Sequence, residues 1–384
     1  MIKKYLIAPG PTPVPEDVLL EMAQPVMHHR NDQFSAIFAE ARAGLQPVFG
    51  TKQEVLILLS SGTAAMEAAI VNTMSAGDRI LTVNAGKFGE RWAKIAEKYK
   101  VTVDELKYEW GKVAKVEDVK AHLDKYPETK GVFIQGSETS TTVYHPIKEL
   151  AELIKGYENT IFVVDGITSV GVYDSRMDEW GIDILLSGSQ KAFMLPPGLA
   201  FIALSEKAWK MAGSSTLPKF YLDLKTELKN QNKDTTAWTP GVNLIFGLRK
   251  VLQRFNEEGL ENVYKRHAVC AEATREGLKA LGLKLLAKEN PANSATGFFV
   301  PEGMDAVKIE NYLREKVGVT LAGGQDDIKG KVIRVSHLGY HSYFDTIIAL
   351  SAIEMALKIF GHNVTLGKGV AAAEEVFVAN MPGI

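Results

Sequence analysis

The stretch Ser187-Gly188-Ser189-Gln190-Lys191-Ala192-Phe193-Met194-Leu195-Pro196-Pro197-Gly198 sets a lysine among small residues, just past an apolar run and just before a turn. A lysine so placed can be held in a cleft and partly desolvated. Burial and neighbouring cations lower an amine pKa, and the neutral amine is the form that condenses with an aldehyde. Alone the signal is weak, because a lysine beside a loop is ordinarily a solvated surface residue. Asp165 strengthens it. This residue ends Ile161-Phe162-Val163-Val164-Asp165, a run too apolar to finish in a carboxylate by strand propensity. Its ordinary role would be a helix cap. Paired with Lys191, it suits a carboxylate that keeps a pyridine nitrogen protonated and makes the ring an electron sink. A third feature is Ser60-Ser61-Gly62-Thr63-Ala64-Ala65-Met66-Glu67, a small-residue turn between an apolar run and a helical pattern. Glycine lets the backbone approach an anion there, and free N–H groups with the helix dipole favour phosphate. The plainer reading is a strand-to-helix turn capped by serine.

These residues must be positioned by the elements around them. From about residue 50 to 205, the apolar runs Val55–Leu59, Arg79–Val83, Val132–Gln135, Ile161–Asp165, Asp183–Ser187 and Ala200–Leu204 read as strands. Continuous Val, Ile and Leu without polar alternation requires cover on both faces. Stretches of helical period, such as Thr63–Met74 and Lys87–Lys98, lie between them. Strand and helix in succession predict an α/β fold, a mainly parallel sheet between helices. In such folds ligands sit at the carboxyl edge of the sheet, where Asp165 falls. After Pro240 the texture changes to long helical patterns, Val242–Glu258 and Glu261–Leu281. Short strands near Gly297–Val300 and Lys331–Val335 and a helix from about Asp345 to Phe360 follow. They describe a smaller α+β domain, and the segment from Gly361 onward has no legible structure.

Composition narrows the partners. A formal net charge of −2, with no long block of Lys and Arg, argues against nucleic acid or an anionic membrane surface. Cys270 is the single cysteine, so neither an internal disulfide nor a thiolate cluster is expected, and a reducing, cytoplasmic compartment is favoured. The histidines lack metal-site spacing: His28 and His29 are adjacent, and His337 with His341 has no obvious third ligand. Neither a dinucleotide fingerprint nor a P-loop is present.

Seven motifs occur in a telling order: Pro9-Gly10-Pro11-Thr12, Ser61-Gly62-Thr63 with Met66-Glu67-Ala68-Ala69, Asn84-Ala85-Gly86-Lys87-Phe88-Gly89, Glu138-Thr139-Ser140-Thr141, Val164-Asp165, Ser187-Gly188-Ser189-Gln190-Lys191, and Gly330-Lys331-Val332-Ile333-Arg334-Val335. Together they resemble the class V, fold-type I aminotransferases, in particular the alanine–glyoxylate and serine–pyruvate branch, over nearly the whole chain. The resemblance implies pyridoxal 5′-phosphate as cofactor and a seven-stranded, mainly parallel sheet. It implies an N-terminal arm (1–20), a large cofactor domain (21–255) and a small C-terminal domain (256–384). Lys191 would form the Schiff base and Asp165 would partner the pyridine nitrogen. Ser61, Gly62, Thr63 and Gln190 would hold the phosphate, with Thr236 and Thr239 of a second subunit completing the cup in a homodimer. Phe88 would stack on the ring, Ser140 would reach the ring oxygen, and Ile167 would line the cofactor. Arg334 would clamp the substrate carboxylate, with Gly10, His29 and Arg30 on the substrate side. Two positions depart from the family pattern: Thr142 stands where glycine is common, and Thr236 where some relatives have an aromatic residue.

The expected reaction moves an amino group between alanine or serine and glyoxylate or pyruvate, in ping-pong order. His28-His29-Arg30 offers a cation for a second anion, which keeps phosphoserine or another acidic donor with 2-oxoglutarate as the alternative. A non-catalytic subunit retaining the fold is a further alternative. A cysteine desulfurase would need a mobile nucleophilic thiol, and Cys270 sits in a helical pattern.

Overall fold

The computed structural model describes residues 2–381. Seven strands make the central sheet: β1 (Val55–Ser60), β2 (Arg79–Asn84), β3 (Thr102–Lys107), β4 (Gly131–Gln135), β5 (Ile161–Asp165), β6 (Ile184–Gly188) and β7 (Gly198–Leu204). Their spatial order is β1-β7-β6-β5-β4-β2-β3, and only β7 runs antiparallel to its neighbours. The reversal follows from the sequence. Nine residues separate β6 from β7, enough for a turn and too few for the crossover that a parallel neighbour requires. Strand β3 is absent from the apolar runs because Thr102-Val103-Asp104-Glu105-Leu106-Lys107 forms the sheet edge, where charges guard against pairing with another chain.

The central strands bury alternate side chains on opposite faces. Val132, Ile134, Phe162 and Val164 point into one core with Phe34, Phe38 and Leu45 of helix α1 (Asp32–Phe49). Phe133, Ile161 and Val163 point into the other, against Met66 and Ile70 of α2 (Gly62–Thr73) and Trp92 of α3 (Gly89–Lys98). Each such side chain withdrawn from water contributes about 1.5–3 kcal/mol. Helix α4 (Val242–Glu258) adds Ile245, Val251 and Phe255 to the first core.

A separate core gathers Leu278 of α5 (Leu260–Ala280), Phe298 of β8 (Ala295–Phe299) and Ile333 of β10 (Val332–Ser336). Ile353 of α6 (Tyr343–Ile359) and Phe377 of α7 (Lys368–Asn380) complete it. Strand β10 lies between β8 and β9 (Ala322–Gly323), antiparallel to both. The N-terminal segment belongs to this core, since Tyr5–Leu6 pairs in parallel with Val319–Thr320 and Ile7 is buried in it. Pro9–Thr12 then crosses to the large sheet.

Helix α7 occupies most of the segment from Gly361 onward that has no legible structure in the sequence. Its start is tied down from outside: buried Glu354 of α6 accepts the N–H groups of Gly367 (2.6 Å), Gly369 (2.7 Å) and Val370 (3.2 Å). A cap contributed by another helix leaves no local sequence signature. Glu354→Ala would leave three N–H groups without their acceptor. The expected loss is about 2–4 kcal/mol in denaturant unfolding, with earlier proteolysis between residues 361 and 381. Wild-type stability in that variant would show that the cap contributes nothing.

Candidate active site

Asp165 and Lys191 meet at the carboxyl edge of the sheet because both follow central strands. Asp165 lies opposite Gln135 on β4 and Leu186 on β6. Its backbone is fixed on both sides, by Gly136 N–H donating to its carbonyl and by Gly166 N–H donating to Leu186. The turn after β6 is held as tightly: Ser189 N–H donates to the Leu199 carbonyl, and Ser189 Oγ donates to the Pro196 carbonyl at 2.7 Å. The arm closes over this turn, with Thr12 Oγ1 donating to the Lys191 carbonyl (2.9 Å) and Lys191 Nζ donating to the Pro9 carbonyl. Gly10 has φ of 121°, and a Cβ there would overlap the Lys191 amine, so only glycine lets the arm pass this close.

Burial drives the two titrations in opposite senses. Desolvation, aided by the Arg334 and Arg91 guanidinium groups, lowers the Lys191 amine to about 8, with Asp165 opposing. Desolvation raises Asp165 to about 7, although the Ile167 N–H donates to its Oδ1 at 2.8 Å. A cation placed against Asp165 would bring it back down, which is what a protonated pyridine nitrogen is.

Ser61, Gly62, Thr63, Phe88, Arg91, Asp165, Ile167, Gln190 and Lys191 line one cavity, together with Ser137, Thr139 and Thr168. Its phosphate end is built as a ligand site. Ser61 is the N-cap of α2, yet its side chain caps nothing. The Gln190 Oε1 is buried without a partner. Gly62 packs against the Ile167 side chain, which a Cβ there would overlap, so glycine is what lets this turn sit so close. These residues fit an anion seated on a helix N-terminus. Phe88 is held over the cavity because its N–H and that of Gly89 both donate to Glu138 Oε2, at 3.1 and 2.9 Å.

Arg334, on β10, reaches the site from the second core. Its Nε and Nη2 donate to the Gly323 carbonyl at 3.0 and 2.8 Å, and its Nη1 donates to the Thr139 carbonyl at 2.9 Å. A guanidinium has five N–H donors, so one remains on each of Nη1 and Nη2, as a bidentate carboxylate contact requires.

Other expected site residues are placed differently. The Ser140 hydroxyl does not line the cavity; it donates to buried Glu138 and accepts from Lys87 N–H, while Ser137 and Thr139 face inward. Thr236 and Thr239 border a separate cavity with Trp238 and Tyr221, away from Lys191 of the same chain. Arg30 also stays outside the Lys191 cavity, donating to Thr235 Oγ1 (2.7 Å) and the Thr236 carbonyl (3.0 Å), and His29 neighbours it in sequence. Thr142 takes the glycine-like φ of 57°, and its Oγ1 accepts the Gly297 N–H at 3.3 Å. Burial pushes the Cys270 thiol up to about 12, the reverse of nucleophile activation. Sequence reading passed over Arg91 and quoted Glu138 and Thr139 only as parts of a motif, without a role. The signal for Arg91 was its place beside buried Trp92, on the flank of the inner face of α3.

An amine and a carboxylate at the edge of this sheet, beside a phosphate seat, define a fold-type I enzyme dependent on pyridoxal phosphate. The chain belongs to the class-V aminotransferase family, whose model matches residues 4–346. It is 36% identical over 390 residues to the serine–glyoxylate aminotransferase of Methylorubrum extorquens, covering 98% of this chain and 97% of that one. It is 43% identical over 377 residues to a protein of a Synechococcus species described as the small subunit of a soluble hydrogenase, covering 97% and 98%. The structure of the ureidoglycine–glyoxylate aminotransferase of Bacillus subtilis superposes with a TM-score of 0.92 at 28% identity, covering 98% of this chain and 99% of that one.

The lowered amine sets a pH dependence. Because the neutral amine is the nucleophile, the rate at which cofactor-free protein condenses with pyridoxal phosphate should rise with pH and reach half its limit near the Lys191 value of about 8. Borohydride reduction followed by peptide mass spectrometry should find the pyridoxyl group on Lys191. A midpoint near that of a free lysine, or an adduct on another lysine, would remove Lys191 from this role.

Proposed function

We propose that this aminotransferase takes the amino group of a small amino acid, alanine or serine, and passes it to glyoxylate or pyruvate by a ping-pong mechanism. The observation that carries the reading is Arg334, which hydrogen-bonds the Thr139 carbonyl of the cavity lining and keeps two N–H groups unbonded. They suit the α-carboxylate common to all these donors. The preference for donors without a second anion rests on Arg30, whose guanidinium is engaged by Thr235 and Thr236. The hydrogenase description of one relative finds little support in the donor set, since an iron–sulfur cluster needs several thiolates and this chain has one cysteine.

When bound, pyridoxal phosphate supplies the ring that stores the electron pair released at Cα. The chain supplies the rest. Arg334 fixes the carboxylate, and with it the direction of the Cα–H bond. The Lys191 amine would take the Cα proton and return it, a task suited to an amine held near 8. Asp165 holds the proton on the ring nitrogen, and Ser61, Gly62, Thr63 and Gln190 anchor the phosphate. Phe88 and Ile167 confine the ring, and Gly10 lets the arm cover the site.

A homodimer completes this reading, with Thr236 and Thr239 reaching the phosphate held by a second copy. Exposed Phe220 (76%) and Tyr221 (44%) stand beside that segment, an apolar surface suited to cover by protein. Light scattering should therefore give twice 42.1 kDa for the active species. An active monomer would overturn this arrangement.

The donor reading is tested by half-reactions of the pyridoxal form with alanine, serine, glutamate and phosphoserine. Alanine and serine should react best. Arg334→Lys should weaken all four together, by about 1–3 kcal/mol each, through loss of the bidentate contact. Arg30→Ala should leave the ranking unchanged. Selective collapse of glutamate and phosphoserine would instead make an acidic donor the better name.

A further inference from the structure

The phosphate end of the cavity poses a charge problem. Ser61, Thr63, Gln190 and the Gly62 backbone are neutral donors, and the N-terminus of α2 supplies only a partial charge. A phosphate ester close to doubly ionised, enclosed by protein, calls for a full cation. Lys191 is committed to the other end of the site, and Asp165 carries the wrong sign.

Arg91 is the remaining cation of the cavity lining. It stands in the first turn of α3, and its Nη1 donates to Thr63 Oγ1 at 2.9 Å, next to the N-terminus of α2. Its guanidinium carbon lies 5.1 Å from the centre of the Phe88 ring, a cation–π contact that holds it against the wall of the cavity. Arginines elsewhere, such as Arg42, Arg79 and Arg266, sit on carboxylates. Among the described residues Arg91 has no such counter-ion, and its side chain makes only the hydrogen bond to Thr63. A partly buried guanidinium with open donors, fixed beside a helix N-terminus, is a seat for an anion.

We propose that Arg91 is the cation by which this chain binds the cofactor phosphate. Thr63 orients it: by accepting the Arg91 N–H, the Thr63 hydroxyl keeps its own O–H to donate and aims the guanidinium at the same anion. The two residues act as one unit, drawn from the starts of α2 and α3.

The test separates phosphate binding from support of the fold and from substrate binding. Cofactor-free wild type, Arg91→Gln and Arg91→Lys are titrated with pyridoxal phosphate and with pyridoxal, which lacks the phosphate, and binding is followed by absorbance. Inorganic phosphate is added as a competitor. Arg91→Gln should weaken pyridoxal phosphate by roughly ten- to a hundredfold, as expected for a charge-assisted contact, and change pyridoxal by less than about twofold. Phosphate should compete in the wild type and not in that variant, and Arg91→Lys should fall between. Equal weakening of both ligands would assign Arg91 to holding Phe88 or α3 in place. Unchanged affinity for both, with a selective loss of the glutamate half-reaction, would make it the seat of a substrate side-chain anion. Either result overturns the proposal. Thermal unfolding of the three cofactor-free proteins identifies a variant that has failed to fold.

Discussion

An amine and a carboxylate, both taken out of water and kept from collapsing onto each other, are the constraint on which this molecule depends. Free side chains would form an ion pair or swing into solvent. Here the backbone of each is fixed first, Asp165 between β4 and β6, and Lys191 in a turn pinned by Ser189 and closed by Thr12. The amine is then directed to the Pro9 carbonyl while the carboxylate takes the Ile167 N–H. The two cores on either face of the sheet give these fixed points their rigidity, and the desolvation that alters both titrations follows from the same burial.

The second core serves this arrangement from outside. Through Ile7 and the pairing of Tyr5–Leu6 with Val319–Thr320, it anchors the arm whose glycine slips past the lysine. Through β10 it extends Arg334 to the Thr139 carbonyl. Glu138 joins the pieces on the large-sheet side by gathering the amides of Phe88, Gly89 and Ser140. Its own carboxyl is raised by burial, because the desolvation outweighs even these hydrogen bonds.

The parts legible in the sequence were those whose cause is local. Continuous apolar runs gave six of the seven sheet strands, and the residues ending or following them, Asp165 and Lys191, could be read as chemistry because they broke the pattern. The turn at Ser61–Thr63 announced itself by its small residues. Strand β3 did not, since an edge strand may carry charge on both faces without penalty. Helix α7 is capped by Glu354 of the preceding helix, and the Ser140 hydroxyl turns away from the cavity because Glu138 accepts from it. Thr142 shows the opposite case. A glycine-like backbone persists without glycine, at a cost of about 1–2 kcal/mol that contacts to Gly297 and Ala292 help to offset. No one-residue rule anticipates such compensation.

Arg334 divides its donors among three tasks: Nε and Nη2 tie β10 to Gly323 of the adjacent β9, Nη1 ties it to Thr139 on the large-sheet side, and two N–H groups are left for a ligand. The same guanidinium therefore sits where the two cores meet, and a carboxylate that draws on the open pair adds a contact at that junction.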